Sequence, residues 1–459
     1  MPIEVTKALA GFAVNTRYAD IPDHVRENAK LAIADALGAV LAGTGEPSTV
    51  ILRERAAEES RPGKATVLGC DMALTAAHAA FANSAAAHAL DFDNISLTVS
   101  GFVTTPVLFA LLAVAEEEGG ATGCELIEAF VAGYEVEAGI ARGLGVAHYA
   151  EGWHSTATLA HFGAAVAVAR LLKFDIAEMR CAIGIAASEA SGLRNMVGNM
   201  LKAFHIAKAA RNGVTAGRLT QSGFTAHPAA IEIDWGFCNA FNGKGNYDLA
   251  AMLAQLGRPY DLVDPGLVIK VYPCCGLIHS ALDGVLGLAT EHDITPQQVK
   301  HVRISVHELV PPTMDNNDPQ TGYGGKFSTA FCVATALAER SVRLQHFTDQ
   351  RVRDPVLRAL MARVEMVVHP DLHGYATFLQ KELSEVKIEL IDGRVLERRV
   401  MRINNRGSKG RPLLFPELKL KYTDCTTGYA GGARALEAFA LLEKLESVPD
   451  VREITALLK

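Results

Sequence analysis

The sequence predicts a mainly α-helical protein, with a large all-helical domain and a smaller α+β domain that carries an antiparallel sheet. Residues up to about position 260 are rich in alanine, and their apolar positions recur with helical spacing. Beyond about residue 265, two stretches alternate polar and apolar residues with a period of two, which is typical of strands. Near the end of the chain the helical spacing returns. We therefore expect the helical domain over residues 1–264 and 412–459, and the α+β domain over residues 265–411.

The segment from Ile21 to Gly43 illustrates the helical half. Its apolar residues supply one face, Pro22 fits a first-turn position and Gly43 fits the C-cap. Because alanine leaves room for close approach, we expect the most apolar helices at the centre of a bundle. Further helices are expected over 73–90, 103–118, 122–142, 155–172, 176–190 and 205–222.

The α+β half is predicted from the alternating stretches His301–Val306 and Val386–Leu390. Asp392 and Gly393 follow the second stretch and predict a hairpin to a strand over Arg394–Val400, with both turn residues at positive φ. Helices are expected over 277–292, 327–340 and 350–364, and over Ala433–Leu442, which can return to the helical domain.

Composition excludes several classes of partner. The chain has 459 residues, 49% of them hydrophobic and 21% charged, so it has ample apolar material for a core. Its net charge is −7 and it has no basic run, so nucleic acid is not expected as a partner. The longest apolar stretch, Thr104–Ala115, is about twelve residues, whereas a membrane span needs roughly 18, so no membrane association is expected. The first residues lack the features of a secretory signal, which predicts a cytoplasmic protein.

The cysteines and glycines do not indicate a metal or a cofactor. The eight cysteines are scattered, without the closely spaced pair that usually begins a zinc site, and we interpret them as reduced thiols. No glycine-rich dinucleotide turn or phosphate loop is present in the sequence. We therefore expect a protein without a bound metal or cofactor.

Two helix starts contain residue types suited to acid–base chemistry on a carboxylate. Ser155 or Thr156 is expected to cap a long apolar helix, whose positive end would lower the pKa of His154 and keep this residue neutral as a general base. A structural histidine is the alternative. Lys202 and His205 begin a later helix, where the lysine could pair with a polyanionic substrate or transfer a proton. A solvated lysine face is the alternative there.

Two further stretches are candidates on weaker grounds. Asp91 and Asp93, within the string His88–Asn94, form a carboxylate pair in which one acid can orient a base while the other stays ionised. Acids at the exposed end of a helix are the alternative. Lys270 and Tyr272 lie near the boundary between the two halves of the chain, and small-molecule pockets tend to form at domain boundaries.

Taken together, these stretches resemble the MmgE/PrpD family, which includes 2-methylcitrate dehydratase, cis-aconitate decarboxylase and iminodisuccinate epimerase. The resemblance implies a helical domain capped by an α+β lid, a homodimer, and cofactor-independent chemistry that moves a proton next to a carboxylate of a small di- or tricarboxylate. It covers nearly the whole chain and rests on Ala32–Gly38, His88–Asn94, Gly152–Thr156, Lys202–Gly213, Gly223–Thr225, Gly236–Phe237 and Lys270–Cys275.

By position, the resemblance implies that the catalytic residues are Asp91, His154, Lys202 and Lys270. Ser155, Thr156, His205 and Tyr272, which lie beside them in the sequence, are expected to bind the substrate.

The expected mechanism uses these residues together. Lys202 and Lys270 would hold the substrate carboxylates while His154, oriented by Asp91, removes a proton from the adjacent carbon, and the cations stabilise the resulting anion. A 2-methylcitrate dehydratase-like reaction is the leading expectation, and an iminodisuccinate epimerase-like reaction is the second. Loss of carbon dioxide is a related route. A non-catalytic protein that binds a carboxylate, or a structural dimer, is the alternative outside catalysis.

The chain departs from the family pattern in three places. Residues Asn94–Gly101 stand where the dehydratases and decarboxylases usually have a threonine followed by a His-Pro pair. Phe331 stands where a tyrosine often follows a serine, here Ser328, and Asn404–Lys409 replaces an acidic loop. Because epimerisation needs no protonated leaving group, the loss of these proton donors makes it a close second to dehydration.

Overall fold

The computed structural model describes residues 3–196, 198–374 and 383–459. The chain packs into two compact units, the first formed by Met1–Ala89, Asp93–Ile269 and Leu414–Lys459, and the second by Leu90–Phe92 and Lys270–Leu413. The first unit is mainly helical and the second combines helices with a four-stranded sheet. The predicted fold class is therefore confirmed.

The helices follow the alanine-rich and amphipathic stretches of the sequence. In chain order they are α1 (Val5–Asn15), α2 (Asp23–Gly43), α3 (Pro47–Glu59), α4 (Ala76–Ala89), α5 (Thr104–Glu117), α6 (Gly123–Ala150), α7 (Ser155–Leu171), α8 (Ile176–Glu189), α9 (Leu201–Gln221), α10 (Phe237–Asn242), α11 (Leu249–Ala254), α12 (His279–Glu291), α13 (Pro311–Met314), α14 (Gly322–Gly325), α15 (Thr329–Glu339), α16 (Asp349–Val352), α17 (Pro355–Met361), α18 (Phe415–Thr426), α19 (Gly432–Leu442) and α20 (Arg452–Leu457).

The strands form one four-stranded sheet and two small pairs. They are β1 (Pro62–Val67), β2 (Met72–Leu74), β3 (Ile95–Ser96), β4 (Leu267–Val268), β5 (Val299–Val306), β6 (Val364–Val368), β7 (Leu383–Leu390) and β8 (Val395–Met401). The four-stranded sheet has the order β6-β5-β7-β8 and belongs to the second unit. The pairs β1-β2 and β3-β4 are antiparallel and belong to the first unit.

Helix α7 lies at the centre of the first unit, as expected for a helix that is apolar on most faces. Every residue from Ser155 to Ala169 is buried, and the helix packs against α5, α6, α8 and α9. Helix α4 in turn packs against α5 and α9. Small residues permit these close contacts: a Cβ atom added at Gly213 of α9 would lie 2.3 Å from the Cβ of Ala164 in α7.

Three local features of the first unit differ from the sequence predictions. Pro22 is the N-cap of α2 rather than a residue of its first turn, and Gly43 is still helical. Helix α6 continues past the predicted end at residue 142, with a kink at Gly145, whose φ of +63° suits a residue without a side chain. The hairpin β1-β2 was not predicted, because its alternation is too short to stand out: it covers only Lys64–Val67 in β1, and β2 has just three residues.

The sheet of the second unit contains one parallel pair that the sequence did not predict. Strand β5 pairs antiparallel with β7 but parallel with β6. The helix expected over 350–364 is divided into α16 and α17 at Asp354 and Pro355, because proline lacks an N–H group and the Asp354 carboxylate caps the next helix. Strand β6 begins at Val364, where that helix was expected to end.

The turn between β7 and β8 forms at the predicted place with a different geometry. Gly393 has a φ of +90° and donates its N–H to the Leu390 carbonyl at 3.0 Å, whereas Asp392 does not adopt positive φ. The expectation that both turn residues need positive φ was therefore wrong, because the loop is longer than a two-residue hairpin turn and needs the left-handed conformation once.

Within residues 3–196, 198–374 and 383–459, no helix is both long enough and apolar enough to cross a bilayer. The eight cysteines, which all lie within the described residues, form no disulfide bonds.

Candidate active site

His154 is placed by the start of helix α7. The helix begins at Ser155, so His154 occupies the N-cap position and the expected cap by Ser155 or Thr156 is wrong. Thr156 has a different role, because its Oγ1 accepts the N–H of Phe102 at 3.0 Å. The backbone N–H of His154 donates to the carbonyl of Gly192 at 3.1 Å. These contacts fix the backbone at the positive end of a helix dipole.

The imidazole of His154 contacts a second imidazole. Its Nδ1 lies 3.0 Å from Nδ1 of His205, and both side chains are buried. Burial lowers the pKa of His205 to about 4, with further lowering from the charges on Lys208, His88 and Lys202. His205 is therefore neutral at neutral pH.

When the imidazoles of His154 and His205 are both neutral, the contact between their Nδ1 atoms requires a single hydrogen between them. One Nδ1 must donate and the other must accept. When His154 donates, its Nε2 has a lone pair and can act as a base; when His154 accepts, its Nε2 bears hydrogen and can donate. The pair can therefore present His154 to a substrate in either form.

Lys202, the second residue of α9, lies beside two residues that were not among the predicted catalytic set. Its Nζ is 2.9 Å from Nε2 of His88, whose Nδ1 lies 2.9 and 3.1 Å from the two carboxylate oxygens of Asp93. Thr105 donates its hydroxyl to Asp93 at 2.6 Å. Lys202 is 5% exposed, so it does not belong to a solvated lysine face.

Sequence reasoning singled out the string His88–Asn94 but assigned its chemistry to Asp91. A signal for the other pair was present: His88 lies in the last turn of a helix and Asp93 follows five residues later, which lets the chain fold back onto the ring. Both residues are buried, which removes the alternative of exposed acids at a helix end.

The second unit holds Lys270 and Asp91 as a buried ion pair. The Lys270 Nζ lies 3.0 Å from the Asp91 carboxylate and donates to the Asp91 carbonyl at 2.8 Å. Asp91 has a φ of +52°, an uncommon conformation for a residue with a side chain, which turns its carbonyl and carboxylate to the same ammonium group. Two acceptors from one residue therefore fix the position of Nζ.

Tyr272 follows on the same segment and is also held within the second unit. Its hydroxyl donates to Asp283 at 2.5 Å, and the other oxygen of Asp283 accepts the backbone N–H of Arg406 at 2.8 Å. Burial and the Asp283 charge raise the pKa of Tyr272 well above its usual value. Lys326 donates to the carbonyl of Pro273 at 2.7 Å and so supports the same segment.

The residues that stand where the family usually has proton donors form hydrogen bonds or pack within the core. Asn94 donates to Asp35 at 3.0 Å, and Thr98 donates to Asp261 at 2.5 Å, which ties the Asn94–Gly101 segment to the helical unit. Phe331 is fully buried and packs edge-on against Phe347, with ring centres 5.7 Å apart.

In the part of the chain that the structure describes, no group of three or more His, Cys, Asp or Glu side chains is arranged to hold a metal ion.

Models of known protein families match both halves of the chain. The MmgE/PrpD N-terminal domain matches residues 7–250, and the MmgE/PrpD C-terminal domain matches residues 272–446. The chain belongs to the MmgE/PrpD family. The resemblance inferred from the motifs is thereby confirmed, and it extends over both halves of the chain.

Individual MmgE/PrpD relatives match along almost their whole length. Cis-aconitate decarboxylase of Aspergillus terreus is 26% identical to this chain, over 99% of this chain and 96% of that protein. Cis-aconitate decarboxylase of Mus musculus is 24% identical, over 99% of this chain and 93% of that protein. The Homo sapiens protein of the same name is 23% identical, over 99% of this chain and 94% of that protein.

Proposed function

We propose that the protein is a lyase that acts on a small tricarboxylate by transferring a proton at a carbon next to a carboxylate. The observation that carries the proposal is the buried set of acid–base groups in the first unit, in which His154 contacts His205 and Lys202 contacts His88. Imidazole side chains and an ammonium group are suited to moving a proton and stabilising the anion that results. The relatives named cis-aconitate decarboxylase support a tricarboxylate as substrate.

In the proposed mechanism, Lys202 and Lys270 bind carboxylates of the substrate and His154 transfers the proton at Nε2. For decarboxylation, the bond to the departing carboxylate breaks, carbon dioxide leaves, and the electron pair is delocalised toward a neighbouring carboxylate. Protonated His154 then gives its proton to the carbanion. No bound cofactor is invoked, because these side chains supply the acid, the base and the positive charge. That Asp91 orients His154 stays a prediction.

Decarboxylation is our first candidate because the similar proteins are named for it. In the dehydratase reaction that the sequence favoured, His154 instead removes a proton from carbon, the electron pair forms a double bond, and the β-hydroxyl leaves with a proton. In the epimerase reaction the proton returns on the opposite face. The homodimer and the cytoplasmic location also stay predictions.

The test is incubation with cis-aconitate, 2-methylcitrate and iminodisuccinate in heavy water, followed by NMR. Decarboxylation gives carbon dioxide and one deuterium in the product. Loss of water identifies a dehydratase, and deuterium incorporation without loss of a group identifies an epimerase. No change in any of the three acids, nor in a wider panel of polycarboxylates, would contradict catalysis and favour a carboxylate-binding protein.

His154→Gln tests the residue at the centre of the proposal. Because this substitution removes the proton-transferring nitrogen, the rate should fall by about 10²- to 10⁴-fold. His24→Gln is the matched control, since His24 is an exposed imidazole on α2. A His154→Gln variant as fast as the parent would exclude His154 from the proposed role.

A further inference from the structure

We propose that Asp93, His88 and Lys202 form a proton relay, in which His88 exchanges a proton with Lys202 and Asp93 stabilises the imidazolium. The relay makes Lys202 an acid–base group of the reaction in addition to a cation that binds a carboxylate. His88 and Asp93 are then positioning residues that act through Lys202. The inference rests on the proposed function, because it concerns the same reaction.

The contacts determine where the hydrogens lie. An ionised carboxylate can only accept and an ammonium group can only donate. His88 lies between the two, with Nδ1 2.9 Å from Asp93 and Nε2 2.9 Å from the Lys202 Nζ. Its Nδ1 therefore bears hydrogen and its Nε2 offers a lone pair to the ammonium group. One step, transfer of a proton from Nζ to Nε2, converts this arrangement into an amine beside an imidazolium.

The transfer leaves the total charge of the three groups unchanged. The N–H bond at Lys202 breaks, a new N–H bond forms at His88, and the positive charge moves next to the Asp93 carboxylate. The neutral amine of Lys202 can then accept a proton from a substrate carbon. In the reverse direction, Lys202 delivers a proton to a carbanion, and protonated His88 replaces it.

The surroundings of the relay limit its motion and exclude water. His88 is 2% exposed, Asp93 is fully buried, and Lys202 is 5% exposed. Thr105 donates to Asp93 at 2.6 Å and orients the carboxylate. The ring of Phe102 packs edge-on against His88 with centroids 4.3 Å apart, and the Lys202 Nζ lies 4.5 Å from its centroid. In such a dry site, the attraction between Asp93 and an imidazolium is stronger than in water.

Other titratable groups lie near Lys202 on the neighbouring elements. Helix α4 contributes His88 and the following segment Asp93, while helix α9 contributes His205 and Lys208. The charges on Lys202, His88 and Lys208 all act on His205, which contacts His154 at the N-cap of α7. His205 stays neutral above a pH of about 4, and Lys208 donates to the Ser191 carbonyl at 2.8 Å. His205 therefore does not change its protonation at neutral pH when the relay gains or loses a proton.

The His88→Gln variant distinguishes a proton relay from a Lys202 ammonium group that only binds the substrate. Glutamine can still form hydrogen bonds with its neighbours but cannot be protonated. We expect kcat to fall by about 10²-fold with KM changed by less than about threefold, because binding through the ammonium group is retained. Since the variant must lose the Lys202 proton directly to solvent, the pH profile of its kcat should differ from that of the parent. Asp93→Asn should show the same pattern more weakly.

His161→Gln is the matched control. His161 is a buried histidine of α7 whose Nε2 contacts the Ala157 carbonyl at 2.9 Å, and burial lowers its pKa to about 3. This variant should be less stable while keeping the parent's kcat and pH profile. If His88→Gln raises only KM and keeps the parent's kcat and pH profile, Lys202 is a fixed cation and the relay is wrong.

An NMR measurement on the parent tests the relay even if His88→Gln does not fold. With nitrogen-15 in the histidine rings, we expect hydrogen on Nδ1 of His88 and none on Nε2 at neutral pH; the opposite pattern would overturn the relay. A parent that acts on no polycarboxylate would overturn the proposed function together with the relay's role. A parent that is active while His88→Gln is equally fast would overturn the relay alone.

Discussion

The buried acid–base residues show which chemical roles can be inferred from residue type and which depend on a partner. His154 and Lys202 stand out in the sequence because each lies at the start of an apolar helix, where the positive dipole end can hold a substrate carboxylate. Their partners could not be derived in the same way, because His205 and His88 are 51 and 114 residues away along the chain. The tautomer of His154 depends on His205, and in the proposed relay the proton on Lys202 is exchanged with His88. Sequence reasoning therefore selects candidate residues, but it does not define their chemical state.

Two substitutions at His205 test this dependence. In His205→Asn, the side-chain oxygen can replace Nδ1 and accept hydrogen from His154, which keeps the basic Nε2 of His154 available. In His205→Phe, neither donor nor acceptor remains. We expect proton exchange into the substrate to fall by roughly tenfold or less for asparagine and by about 10²-fold for phenylalanine. Equal rates for the two variants would show that His205 does not control the tautomer of His154.

At the scale of the helices, the sequence predicts the elements well and their contacts less well. Alanine content indicates close packing in general, but it does not identify the pair of residues that meet. Gly213 is such a position, because an added Cβ would lie 2.3 Å from the Ala164 Cβ and 2.8 Å from its carbonyl carbon. The α7–α9 contact therefore requires a residue without a side chain there.

Gly213→Ala should destabilise the protein even though alanine favours a helix. The helix propensity gain of about 1 kcal/mol is offset by overpacking, which typically costs about 1–3 kcal/mol, and the backbone of Ala164 cannot move aside easily. Gly11→Ala is the control, since Gly11 lies within α1 and a Cβ there meets nothing within 4 Å. Urea unfolding should show a lower midpoint for Gly213→Ala and an equal or higher midpoint for Gly11→Ala. The reverse order would contradict the packing explanation.

On the scale of the whole molecule, the last segment of the chain belongs to the helical unit. Helix α18 packs against α2, and the Lys421 ammonium group lies 2.5 Å from the Asp35 carboxylate. Both side chains are buried, and burial raises the pKa of Asp35. The two residues are separated by most of the sequence, so their pairing could not be predicted from spacing.

Lys421→Met should destabilise the protein more than the double variant Lys421→Met with Asp35→Asn. Breaking a buried ion pair leaves one uncompensated charge and costs about 3–5 kcal/mol, whereas removing both charges leaves none. The asparagine can still contact Asn94. The free energy of unfolding in urea, measured for both single variants and the double variant, gives the coupling between the two residues. A coupling near zero would show that the pair does not hold the C-terminal segment.

The change from helical to alternating patterns made the fold class predictable, because each pattern extends over many residues. The hairpin β1-β2 and the parallel strand β6 escaped prediction, since β2 spans only Met72–Leu74 and β6 pairs with β5, which lies far earlier in the chain. The predicted catalytic residues stay predictions. Their family, by contrast, follows from ordered motifs that a single sequence displays.

The three residues Leu90–Phe92 have a consequence for any attempt to dissect the protein. They pack with residues 270–413, although the chain on either side of them belongs to the helical unit. A fragment that starts at Lys270 would therefore lack Asp91, and its first residue would lose both the carboxylate and the carbonyl that hold its ammonium group. Exchange of this region between homologous enzymes must transplant the tripeptide together with the C-terminal piece.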